Sequence, residues 1–118
     1  MRLPKLLERA LNESLKSNHH AHALGAVIFR KGKVLSKGHN RVRRGVSRVH
    51  GYWEGSVHAE IGAIINARCS VVGADMLVAR NNSLIARPCW ACLAALKAEG
   101  IRRVFYTNNG IIEMEKLK

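Results

Sequence analysis

The sequence predicts an α/β protein in which a mixed sheet is covered by helices in three layers. Three observations predict it. Two short β-capable runs meet at Gly32, helix-like and strand-like segments then alternate through the middle of the chain, and an Asn-Gly dipeptide near the end separates two more β-capable runs. Taken in order, Leu3, Leu6, Leu7, Ala10, Leu11 and Leu15 recur at helical spacing and Pro4 suits a first turn, so residues 4–17 are expected to form an amphipathic helix. "SNHHAH" interrupts that pattern, and "ALGAVIFRKGKVLSKGHN" predicts a hairpin of strands 24–30 and 33–38. From Asn40 to Val57 the chain is basic, contains glycine and has no period, which predicts a long functional loop. "HAEIGAIINARC" predicts a largely apolar helix over 58–69, with Cys69 as buried filler at its end. A strand over 75–80, a helix opening at "CWACLAALKAEG" and closed by Gly100, and a strand in "RRVFYT" follow. The Asn-Gly turn then predicts a last strand over 111–115, antiparallel to the one before it.

The chain has 118 residues, enough for one buried core, so a single domain over 1–118 is expected. The apolar fraction of 47% and the absence of low-complexity runs argue against disorder. No apolar run approaches membrane-spanning length, and the first 18 residues lack the unbroken apolar region of a signal peptide, which predicts a cytoplasmic protein with no membrane partner. The net charge is +12, and no acidic residue lies between Glu13 and Glu54, where Arg41, Arg43, Arg44 and Arg48 cluster. Such a block attracts phosphate-bearing partners, either one nucleotide phosphate or nucleic acid, although it could also be a solvated basic face. Tyr52 and Trp53 in the same loop could stack on bases or anchor the core. His19, His20 and His22 invite a second metal site but fit solvated turn residues better.

The chemistry concentrates in "HAE" and "RPCWACLAAL". His58 stands at the start of one predicted helix, and Cys89 and Cys92 at the start of another. Structural zinc sites close four protein ligands, whereas catalytic ones hold three and leave a position open. Three candidates at helix starts favour the open kind, with one zinc per chain, and helix N-termini favour thiolates at Cys89 and Cys92. Glu60, two residues after His58, is placed to shuttle a proton without being a ligand. His58-Ala59-Glu60 followed by Pro88-Cys89-Trp90-Ala91-Cys92 reproduces the H-x-E and P-C-x-x-C signature of zinc-dependent base deaminases. A redox dithiol is the competing reading of Cys89 and Cys92.

On these residues, and on "LGAVIFRKGKVLSKGHN" and "ARPCWACLAALKAEGIRRVFYT", the chain resembles the cytidine and deoxycytidylate (CMP/dCMP-type) deaminase superfamily. The resemblance implies an α/β/α sandwich around a five-stranded mixed sheet, and zinc held by His58, Cys89 and Cys92. It implies that Glu60 moves protons while water adds to C4 of cytosine or C6 of adenine and ammonia leaves. It further implies that Asn40 helps hold sugar or base and that the backbone of Ala59 contacts the pyrimidine edge. A homo-oligomer is expected on the same ground. Arg87 departs from the residue that often precedes Pro-Cys in the family and could bind a phosphate or cap the loop. Trp90 could border the substrate or pack in the core.

The substrate stays open at this level. "GIRRVFYT" resembles the nucleotide and tRNA branches, whereas the terminal Asn-Gly hairpin resembles the free cytidine deaminases. The leading expectation is hydrolytic deamination of a free cytosine nucleoside or nucleotide. The alternative is deamination of cytosine or adenine within single-stranded DNA or RNA, including tRNA. A zinc-containing nucleic-acid-binding module without catalysis is the third reading, and Glu60 counts against it.

Overall fold

The computed structural model describes residues 3–17, 23–42, 56–80 and 85–117. His19, His20, His22, Arg43, Arg44, Arg48, Tyr52 and Trp53 lie outside the described residues. Helix α1 spans Leu3–Ser14; strands β1 (Leu24–Arg30) and β2 (Lys33–His39) follow. Two-residue strands β3 (Arg41–Val42) and β4 (Ser56–Val57) precede helix α2 (Ala59–Asn66). Then come β5 (Asp75–Arg80), α3 (Trp90–Ala98), β6 (Arg103–Asn108) and β7 (Ile111–Lys116).

The main sheet has five strands in the order β2-β1-β5-β6-β7, and only the β5–β6 pair is parallel. A parallel pair needs a crossover, and α3 supplies it. Both hairpins turn on two residues with positive φ: Lys31 (53°) with Gly32 (80°), and Asn109 (54°) with Gly110 (84°). Two consecutive left-handed residues are what a type I′ turn requires, so the hairpin registers follow from local chemistry.

Alternation along the central strands builds two cores. Ala26 and Ile28 of β1, Met76 and Val78 of β5, and Val104 and Tyr106 of β6 pack with Ala59 and Ala63 of α2 and Leu96 of α3. Val27, Phe29, Leu77, Ala79 and Phe105 point the other way, onto Leu6 and Ala10 of α1. One helix therefore covers one face and two cover the other, the three-layer α/β/α arrangement. β1 and β5 are covered on both faces, which is why both read as nearly unbroken apolar runs.

The second predicted helix ends early. Ala67 is the C-cap of α2 with an extended backbone (φ −67°, ψ 134°), so α2 stops at Asn66. Cys69 consequently lies exposed in the bend that follows, not buried at a helix end. Of the Asn40–Val57 stretch the described residues are its two ends, where Arg41 pairs with Val57 and Val42 with Ser56; residues 43–55 lie outside them. Among the described residues, no helix is long and apolar enough to cross a membrane.

Candidate metal centre and active site

His58 and Cys89 occupy the same local position in two different helices. Each is an N-cap with an extended backbone (φ −72°, ψ 149° for His58; φ −68°, ψ 165° for Cys89), and neither side chain caps its own helix. In each case the carbonyl accepts the first helical bond, from Gly62 N to His58 O and from Leu93 N to Cys89 O, both 2.9 Å. The imidazole and thiol stay available for another partner. Cys92 follows one turn into α3 and is fully buried, while Cys89 is exposed.

The three side chains meet. His58 Nδ1 lies 3.1 Å from Cys92 Sγ and 3.6 Å from Cys89 Sγ, and all three donor atoms lie within 4.8 Å of one another. An ion about 2.0–2.1 Å from nitrogen and about 2.3 Å from sulfur, at tetrahedral angles, requires N···S separations of about 3.5 Å. One nitrogen and two sulfurs at this spacing fit zinc. Burial lowers the His58 pKa, which favours the neutral, ligating imidazole. Burial, with the charges of Glu60 and Cys89, pushes the Cys92 thiol up. A cation in the cluster would reverse that pressure, because a coordinating thiol is deprotonated outright.

Glu60 sits in the first turn of α2, 4% exposed, within hydrogen-bonding reach of Cys92. Its burial raises the carboxyl pKa to about 7, against the opposing hydrogen bonds of its own backbone and Cys92. Ala59, between His58 and Glu60, is buried to 1%. Asn40 is also buried, and its side-chain oxygen accepts a hydrogen bond from Leu24 N at 2.9 Å, tying the end of β2 to the start of β1. The β3–β4 ladder then places Arg41, which is exposed, opposite Val57, the residue before His58. The guanidinium of Arg87 is occupied by Glu115 of β7 through bonds of 2.7 and 3.2 Å. Trp90 is 84% exposed, which excludes the core reading.

Two residues that hold this arrangement escaped the sequence reading. Ser36 Oγ donates to Ala63 O at 2.6 Å, and Gly38 lets α2 approach β2 so closely that an added Cβ would fall 2.5 Å from Ala59 O. Their only sequence signal is the alternation of small residues in "SKG" on the strand face under α2. Ala86 N donates to Thr107 O at 2.7 Å, anchoring the segment that leads into Cys89.

Residues 2–108 match the family described as the cytidine and deoxycytidylate deaminase zinc-binding region. The chain belongs to this family. The tRNA-specific adenosine deaminase of Agrobacterium fabrum is 31% identical over 101 residues, 85% of this chain, and the chain spans 61% of that relative's length. Among solved structures, cytidine deaminase from Burkholderia pseudomallei superposes with a TM-score of 0.74 at 20% identity, covering 99% of this chain and 94% of that one. The dCMP deaminase of cyanophage S-TIM5 gives 0.67 at 21% identity, covering 86% and 78%. The deaminase family's sandwich and its zinc-binding region thus account for the convergence of His58, Cys89 and Cys92.

Proposed function

We propose that the chain is a zinc-dependent hydrolytic deaminase that converts cytosine to uracil in a free nucleoside or nucleotide, with His58, Cys89 and Cys92 as the metal ligands and Glu60 as the proton carrier. The observation that carries the reading is the open, three-donor cluster with a buried carboxylate beside it. Bound zinc supplies Lewis acidity that makes water nucleophilic near neutral pH. Glu60 takes the proton lost by that water and passes it to the ring nitrogen next to the amine-bearing carbon. The water's oxygen adds to that carbon, its second proton moves onto the amine, and the C–N bond breaks to release ammonia as the carbonyl forms. The buried backbone at Ala59 lines the approach to the cluster, and Asn40 fixes the strand ends beside it. Three features support a free cytosine substrate over a polymer: the antiparallel β7, which resembles the ending of the free cytidine deaminases; the exposed Arg41, opposite the residue that precedes His58; and the pairing of Arg87 with Glu115.

A second reading, deamination of adenine or cytosine within RNA or single-stranded DNA, is favoured by the tRNA-specific relative and by the +12 charge. The free thiols suit a reducing compartment such as the cytoplasm. Exposed Trp90, Ile111 and Met114 suit self-association. The test of substrate is mass spectrometry of zinc-loaded protein with cytidine, deoxycytidine, CMP, dCMP, adenosine, single-stranded DNA and tRNA. Replacing an amine by an oxygen adds about one mass unit per event. Conversion of the monomers supports the first reading; conversion of polymers alone replaces it with the second.

A further inference from the structure

The end of the sheet remote from the metal cluster carries a basic groove that the deaminase chemistry does not use. It is about 620 Å³ in volume and is lined by the β1–β2 turn (Lys31, Gly32, Lys33), Asp75 at the start of β5, Arg102 just before β6 and Arg103 at its start. β5 runs from this groove towards the cluster, since Asp75 is its first residue and the segment beyond Arg80 leads to Cys89. Six strand residues separate the two ends by about 17 Å. The row Phe29, Asp75, Arg103 and Lys116 crosses the sheet in register on the face that α1 covers, whereas His58 and Cys89 lead helices on the other face. The groove is therefore no subsite for the phosphate of a mononucleotide held at the cluster.

Its charges are arranged, not merely present. Asp75 is buried, and its two oxygens accept from both arginines: Arg103 Nε and Nη2 at 3.1 and 2.8 Å, Arg102 Nε and Nη2 at 3.4 and 3.2 Å. One carboxylate thus orients two guanidinium planes and leaves their Nη1 edges for a ligand. Arg103 also lies over the Phe105 ring, 5.2 Å from its centroid. Lys31 and Lys33 are exposed at the turn and have no ion-pair partner among the described residues. Lys116 stands opposite Arg103 on β7. From β2 to β7 these cations are strung over about 19 Å, the width of five strands.

We propose that this groove binds the phosphate backbone of a single-stranded polynucleotide, as a site separate from the catalytic one. The length of the cationic row exceeds what one nucleotide's phosphates would span. Among the described residues of the groove no aromatic face is open to a base, because Phe29 is fully buried and Arg103 covers Phe105. Binding is thus of backbone charge without sequence preference.

The test is fluorescence anisotropy of the whole protein with a labelled oligouridylate of about 20 nucleotides, which has no exocyclic amine and cannot be deaminated. With about four phosphates neutralised on a single strand, affinity should fall about 50-fold between 50 and 200 mM salt. Lys31→Asn/Lys33→Ser should weaken binding at least 10-fold and flatten the salt dependence, with cytidine turnover unchanged. Asparagine tolerates the left-handed backbone at position 31. Lys116→Ser, beside the groove on the strand that pairs with Arg103, should weaken binding about threefold and serves as the second variant. Unchanged affinity in both variants overturns the proposal. So does a free nucleoside triphosphate that binds as tightly as the oligomer, because the site would then hold a small polyphosphate.

Discussion

Replacing Gly38 by alanine should damage the active site from the far side of α2. The new Cβ would sit 2.5 Å from Ala59 O, 2.7 Å from the Gly62 carbonyl carbon, and closer still to Ala63 N. These are backbone atoms of one helix, so no side chain can rotate away. Restoring contacts of 3.0–3.4 Å at every one of these atoms, Ala63 N included, requires α2 to withdraw from β2 by about 1 Å. His58 is the N-cap of that helix and Glu60 lies in its first turn, so both move, while Cys89 and Cys92 stay on α3. The 3.1 Å gap between His58 Nδ1 and Cys92 Sγ would open by a similar amount. Overpacking of this kind costs about 1–3 kcal/mol, a Tm decrease on the order of 10 °C for a domain of this size. A displacement approaching 1 Å in the reacting groups lowers kcat/KM by about 100-fold. Thermal melts, zinc retained after dialysis, and deamination kinetics on one preparation check all three. A variant with a lowered Tm but wild-type zinc content and kcat/KM would refute the claim that the β2–α2 contact positions the site.

Leu96→Ala should lower stability by about 2–5 kcal/mol in urea melts, because Leu96 is fully buried where α3 meets the sheet. Burial alone would raise the pKa of Asp75, but its hydrogen bonds and ion pairs with Arg103 and Arg102 outweigh it and hold the carboxyl below its ordinary value. A lowered folded-state pKa adds stability above the unfolded value, near pH 4, and that stability is lost as pH falls through the folded one. Asp75→Asn should therefore be destabilised at pH 7 and show a shallower loss of Tm below about pH 4 than the wild type. Arg87→Ala should leave the Tm and the KM for cytidine nearly unchanged, since its pair with Glu115 is exposed to solvent.

Turn chemistry made much of the fold legible in the sequence. Lys31-Gly32 and Asn109-Gly110 each impose a two-residue turn, and the alternation on either side then assigns residues to faces. The site was legible for a related reason: Cys89 and Cys92 lie one turn apart at the start of α3 and His58 caps α2, and both helices pack on the same face of the sheet. The end of α2 was not, because Ala67-Arg68-Cys69 is as compatible with a helix as the residues before it and only its backbone angles differ. β3 and β4 are too short to show a period. Gly38 carries no side chain to announce a contact. Asp75 and its arginines are 27 and 28 residues apart, joined only by the parallel β5–β6 register.

The most direct test of the account compares zinc per chain and cytidine deamination in wild-type, Cys92→Ser and Glu60→Gln proteins. The wild type should hold one zinc and be active, and Cys92→Ser should lose both. Glu60→Gln should keep its zinc and lose about 100- to 10,000-fold in kcat. Full activity in zinc-loaded Glu60→Gln, or full zinc and activity in Cys92→Ser, would contradict it.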